Sequence, residues 1–226
     1  IFPLITYPYA ARVIGVENIG KINYSASIVS YFTLFAAFGI TTYAIRECSK
    51  IRDNKEALSK RASEIFSLNL LTTGVSLITL YILAFSVGNL SPYTSIICIQ
   101  SLSIIFTTIG VDWINVVFEE YKYITIRSII INVVHLLLLF LLVKNRSDYY
   151  QYAFLTVANN IIIGGMNYFY CRRFIHITPS FSKNLLDHFR KLLPFFVNEI
   201  SIAIYVSADT TMLGALKGDY AVGLYS

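Results

Sequence analysis

Ionisable and amide side chains inside long apolar stretches are where this sequence could do chemistry. A charge at the centre of a bilayer costs about 2.5–3.5 kcal/mol on insertion scales, so each such group must face a cavity, a partner or the interface. Asp112 stands in Gly110-Val111-Asp112-Trp113, late in an apolar block, and reads either as an interfacial carboxylate beside an anchoring Trp or as a cavity group. Glu199 lies about five residues inside another block, and Asp209 lies deeper in the same one. Either could bind or release a cation; near-interface solvation is the simpler reading of Glu199, and a structural pair with a neighbouring helix the alternative for Asp209. Ten residues at about 100° each set them about 80° apart around a helix, so they need not share a face.

The neutral and basic groups carry their own pairs of readings. His135, in Asn132-Val133-Val134-His135-Leu136, is either a proton relay or a neutral imidazole hydrogen-bonded to another helix. Asn159, Asn160 and Asn167, with Gly164-Gly165 among them, most simply mean close helix packing and interhelical hydrogen bonds, and alternatively contacts to sugar hydroxyls. Arg12, after Pro8-Tyr9-Ala10-Ala11, and Arg46, closing the second block, either snorkel to headgroups or hold a phosphate bidentately in a cavity. No phosphate loop, nucleophile elbow, H-E-x-x-H or paired C-x-x-C occurs, so no enzyme chemistry and no cofactor is expected. Three cysteines and three scattered histidines give neither a disulfide framework nor a metal site.

These residues must be positioned by membrane-length elements. Of 226 residues 56% are hydrophobic and 14% charged, against about 25% charged in soluble domains. About 20 apolar residues span a hydrocarbon core. Candidate spans run over 1–11, 22–44, 65–87, 93–118, 124–143, 150–171 and 194–216. The blocks are continuous rather than alternating, so they are helices and not barrel strands. Counting Lys and Arg in alternate connections puts 13 of the 18 on one side, which is therefore cytoplasmic. That asymmetry also accounts for the net charge of +5 without nucleic acid.

The polar segment 46–64 is expected as a short solvated helical excursion. In the last connection Leu185, Leu186, Phe189, Leu192 and Leu193 recur at helical spacing beside Lys183, Arg190 and Lys191. That pattern predicts a basic amphipathic helix in the cytoplasmic interface before Pro194 opens the next span. The chain therefore divides into a transmembrane lobe over 1–171 with a truncated first helix, a linker over 172–193, and the first helix of a second lobe over 194–226. Its opening inside an apolar block, without Met or a basic flank, is expected of a piece of a longer protein.

The motifs now resemble a family. Pro8-Tyr9-Ala10-Ala11-Arg12-Val13-Ile14-Gly15 with Gly20, and Tyr31-Phe32 with Gly39 and Arg46-Glu47, are similar to the opening of bacterial oligosaccharide-lipid flippases. So are Gly110-Val111-Asp112-Trp113 with Glu119, Tyr123 and Arg127, and Asp148-Tyr149 with Tyr152-Ala153. Tyr205, Asp209, Met212-Leu213-Gly214 and Val222-Gly223-Leu224-Tyr225-Ser226 resemble the seventh-span signature. Val117 departs where a glycine is expected, and Thr210 where a basic residue commonly follows the Asp.

The resemblance implies an O-antigen-type repeat-unit flippase of the multidrug/oligosaccharidyl-lipid/polysaccharide exporter superfamily, in the bacterial inner membrane. It implies an all-α polytopic fold, the first six-helix lobe of a two-lobe, twelve-helix transporter plus the start of the second. The implied substrate is an undecaprenyl-pyrophosphate-linked oligosaccharide, carried from the cytoplasmic to the periplasmic leaflet by alternating access coupled to a cation gradient. Arg12, Arg46, Asp112, Arg127, Asn159 and Asn160 are then expected to contact substrate, and Asp209 and Glu199 to couple the ion. Partners would be membrane lipids, and a polysaccharide polymerase and chain-length regulator. The alternatives are a multidrug/cation antiporter of the same superfamily, a polymerase- or ligase-type membrane enzyme, and a non-transporting scaffold.

Overall fold

The computed structural model describes residues 2–180 and 185–225, and among them every regular element is helical. Helix α1 (Phe2–Ile14) turns at Gly15, φ 86°, into α2 (Val16–Ala37). Hydropathy predicts one unbroken span here, but Phe38 and Gly39 are both left-handed, φ 46° and 71°, and a separate α3 (Ile40–Ser49) follows. The break fits a close crossing: a Cβ on Gly39 would stand 2.7 Å from the Cβ of Phe195.

The segment 46–64 is not a solvated excursion. Only residues 50–54 leave the helices; Arg46 belongs to α3, and α4 (Lys55–Ser86) is already under way at Glu64, which is buried. Asn54 starts α4 by accepting from the Ala57 amide at 3.0 Å, which satisfies one orphan donor of the first turn. A 3-10 turn through Pro92 leads into α5 (Thr94–Gly110). That helix ends at Val111, φ 38°, and short α6 (Trp113–Val117) follows. Glu119, φ 58°, reverses the chain into α7 (Tyr121–Leu142), and a 3-10 turn joins it to α8 (Tyr149–Cys171). Val117, where the flippase pattern has glycine, is buried in the core.

Helix α9 (Leu185–Lys217) carries Pro194 in its interior, so Pro194 does not open a span; Gly218, φ 80°, links it to α10 (Asp219–Tyr225). Its two parts, Asp187–Ile202 and Ser207–Lys217, bend by 52°. The amphipathic pattern holds in part: Leu192 is buried and Phe189 packs against the core, while Leu193 is exposed along with Asp187, Arg190 and Lys191. The buried face meets the helix core around Tyr43 and Leu58 rather than lipid. Ile1, Lys183 and Ser226, and the side chains of Leu185 and Leu186, lie outside what is described.

Four helical stretches are long and apolar enough to cross a membrane, Val16–Ser49, Lys55–Ser86, Gly88–Val117 and Tyr121–Leu142, with the bent α9 as a fifth if its parts count as one. Helix α8 matches them in length with 23 residues but is diluted by Asn and Tyr. The outer faces of α4 and α7 expose Val75, Ile78, Ile82, Ile129, Val133 and Leu137, as a lipid-facing surface requires. One buried cluster centres on Tyr43, Ile65, Trp113 and Leu192, near the Lys/Arg-rich connections; another, around Ile14, Ile96 and Leu139, lies toward the opposite end. Between them α5 and α8 meet at glycines, where a Cβ on Gly110 would lie 2.8 Å from the Gly164 Cα. A hydroxyl seam, Ser30 to Ser207 at 3.2 Å and Tyr31 to Thr211 at 3.1 Å, ties α2 to α9.

Candidate functional site

The break at Val111 separates α6 from α5, and Asp112 beside it bonds residues of α7 and α8. Asp112 Oδ1 accepts three hydrogen bonds: from Arg127 Nη1 at 3.0 Å, Asn167 Nδ2 at 2.9 Å and Asn115 Nδ2 at 3.2 Å. Arg127 Nη1 also donates to Asn167 Oδ1, which takes a further bond from Asn115 at 3.2 Å. The guanidinium lies 5.4 Å from the centre of the Tyr123 ring, a cation–π distance. The two charges differ sharply in exposure: 3% for the Arg127 side chain and 51% for Asp112.

Asp112 is exposed because it faces a cavity of about 380 Å³. Its wall includes Thr33 from α2, Thr41 from α3, Asn69 from α4, Trp113 from α6 and Asn160 from α8. Both helix breaks border it, and its lining on α5, α7 and α8, with Thr108, Arg127, Gly164 and Asn167, falls in the halves of those helices that lead to Lys/Arg-bearing connections. Polar groups thus converge inside a bundle whose outside is apolar, and the volume falls within the ~300–1,000 Å³ common for small-molecule sites.

Three residues expected to contact substrate, Asp112, Arg127 and Asn160, share this cavity. Asn159, one residue earlier, points elsewhere, beside the ring of His135. Arg12 and Arg46 are exposed at opposite ends, neither lining the cavity nor making a hydrogen bond or close ion pair among the described residues. Glu199 accepts from the Gly39 amide at 3.2 Å and so caps the start of α3. Asp209 is exposed and accepts from the Tyr225 hydroxyl at 2.8 Å. The two carboxylates expected to couple an ion therefore have separate partners, Glu199 on α3 and Asp209 on α10.

Sequence reasoning missed Asn115, and for Asn167 it offered helix packing or sugar contact but not a place beside Asp112. Asn115 follows Asp112 by three residues, a helical spacing that could have joined them. It also missed a second buried polar set. His188 Nε2 lies 3.2 Å from Glu64 Oε2, and His188 Nδ1 lies 2.7 Å from the Tyr43 hydroxyl. These three tie α3, α4 and α9 together, and none of them lines the cavity.

A family model described as polysaccharide biosynthesis protein matches residues 1–226. A protein of Escherichia coli (strain K12) named "Putative O-antigen transporter" is 21% identical over 232 residues, covering 100% of this chain and 55% of its own length. The chain thus spans about half the length of that curated relative. No solved structure matches it.

Proposed function

Because the chain belongs to the polysaccharide biosynthesis protein family, we propose that it forms part of an inner-membrane flippase for undecaprenyl-pyrophosphate-linked oligosaccharides. The observation that carries this reading is the cavity around Asp112, a largely apolar chamber into which Asp112, Asn69 and Asn160 bring polar groups, inside a bundle with an apolar exterior. By the positive-inside rule the Lys/Arg-rich end is cytoplasmic, the side from which the lipid-linked unit would load. The name of the E. coli relative, which speaks of O-antigen transport, supports the same substrate class.

In this mechanism the chamber receives part of the oligosaccharide while the lipid tail stays in the bilayer. The lobes then rock around the site, so that it opens to the other leaflet. Arg46 at the loading end and Arg12 at the opposite end meet the pyrophosphate at the start and finish of the path. A carboxylate couples the motion to a cation gradient. Glu199 suits that role because it holds the α2–α3 break through one hydrogen bond that the protonated acid would make differently.

Deleting the full-length gene in its host tests the reading. The expected result is loss of surface polysaccharide with intact lipid-linked repeat units accumulating on the cytoplasmic face. Repeat units that reach the periplasmic face but stay single would mean a polymerase-side role instead. Drug accumulation with normal surface glycan would mean an antiporter.

A further inference from the structure

The cavity has a charge of definite sign facing it, and the sign is unexpected for a protein thought to carry a pyrophosphate. Its arginine is already committed. Arg127 is buried and its Nη1 is shared between Asp112 and Asn167; its Nε has no hydrogen-bond acceptor but is itself buried, so a ligand in the cavity does not meet that donor directly. Bidentate capture of a phosphate needs a guanidinium fork presented in one plane. Asp112 is the opposite case. All three of its hydrogen bonds fall on Oδ1, and Oδ2 has no partner among the described residues while half of the side chain is exposed. The group that an entering ligand meets is therefore a carboxylate oxygen, held rigidly by its twin.

An incoming anion would be repelled by Oδ2, and the Arg127 cation behind it is buried and already paired with Asp112. A hydroxyl or an amide N–H would find an acceptor in Oδ2, further hydrogen-bonding groups in Asn160, Thr33 and Thr41, and the Trp113 side chain at the wall. We infer that this cavity is an uncharged-sugar subsite, which accepts a hydroxyl- or N-acetyl-bearing ring of the oligosaccharide and excludes its pyrophosphate. The inference rests on the flippase reading for the source of the sugar, but the selectivity itself follows from Asp112 and Arg127. It also fixes a division of labour: the pyrophosphate must be held outside this chamber.

Trp113 supplies the probe, because it is the single tryptophan in these 226 residues and it borders the cavity. Full-length protein in detergent, with any tryptophan outside this region replaced by Phe, would be titrated at constant ionic strength with chitobiose, with inorganic pyrophosphate and with sodium chloride. Chitobiose is expected to give a saturable change in Trp113 emission; pyrophosphate and sodium are expected to give none at tenfold higher concentration. Asp112→Asn should weaken chitobiose at least tenfold and, by leaving Arg127 uncompensated, allow pyrophosphate to register. Asn160→Ala, outside the Asp112 hydrogen bonds, should weaken chitobiose without admitting pyrophosphate, and it carries the test if Asp112→Asn does not fold. Saturation by pyrophosphate or sodium in the unmodified protein, or no response to chitobiose, overturns the subsite. Gene deletion that leaves flipping intact while chitobiose still binds would overturn the flippase reading and spare the subsite.

Discussion

Asp112 and Arg127 stand fifteen positions apart in the chain and 3.0 Å apart in space, with the carboxylate half open to a cavity and the guanidinium sealed behind it. The pair spans a helix break, a five-residue helix and a reversal at Glu119. A buried ion pair damages a fold most when one partner is removed and the other is left dry. Here the two removals are unequal.

Asp112→Ala strands a buried cation, and a loss of about 3 kcal/mol or more is expected. Arg127→Leu leaves a carboxylate that still has two amide donors and access to the cavity, and should cost about 1–2 kcal/mol. Thermal unfolding of the two purified variants side by side checks the order. A larger loss in Arg127→Leu would mean that packing, not charge, dominates this corner.

The α5–α8 crossing makes a second, purely steric prediction. Gly110→Ala or Gly164→Ala should each destabilise by about 1–3 kcal/mol, because the new methyl meets the facing backbone. Gly165→Ala, with open space around it, should be neutral or stabilise by up to about 1 kcal/mol. Denaturation midpoints of the three variants decide; equal behaviour of 164 and 165 would contradict the crossing.

How much of this could be read in advance differs residue by residue. Asp112 was legible because a carboxylate in an apolar block needs a reason, and Arg127 because it falls in the same motif. Their pairing was not, since fifteen residues is no helical period and the geometry depends on Val111 and Glu119 taking left-handed backbone, which neither side chain signals. Glu64 was misread for a plain reason: Lys60 and Arg61 beside it made the whole segment look solvated, yet Glu64 turns inward to His188. Hydropathy marked the long helices around 65–87, 93–118 and 124–143, but of its seven spans only four stretches among the described residues, or five with the bent α9, are long and apolar enough to cross a membrane. The break at Phe38-Gly39 did not follow from hydropathy, because both residues are as apolar as the helix around them.

Glu199 gives a test of coupling. Glu199→Gln keeps an acceptor for the Gly39 amide but cannot release a proton, whereas Glu199→Leu loses both. The Gln variant should insert and fold normally while its flipping no longer responds to a proton gradient; the Leu variant should also lose about 1 kcal/mol of stability. Flipping by Glu199→Gln that still tracks the gradient would shift the coupling to Asp209, for which Asp209→Asn is the matching variant.

Outside the spans, Asp148 sets a pH dependence. Its Oδ2 accepts from the amides of Lys144 and Asn145 at 2.9 and 2.8 Å, and these bonds hold the carboxyl below the usual carboxylate range. A depressed folded value stabilises the turn above the unfolded pKa of about 3.9 and is lost as pH falls through the folded one. Amide exchange at Lys144 and Asn145, corrected for its intrinsic pH dependence, should lose protection only below that range, and Asp148→Asn should lose it already at neutral pH. Protection unchanged in the variant would mean that the turn is held by its neighbours.

Phe38, Val111 and Glu119 are the non-glycine residues with positive φ among those described, and all three lie where the helices end around or beside the chamber. Backbone of this kind holds about 1–3 kcal/mol per residue in place of relaxed helix. The helix ends around the chamber are therefore held off relaxed backbone, while α4 and α7 run unbroken beside it. Glycine at any of these three positions would relieve that cost, so the conformation they hold is one the surrounding packing imposes rather than one the backbone prefers.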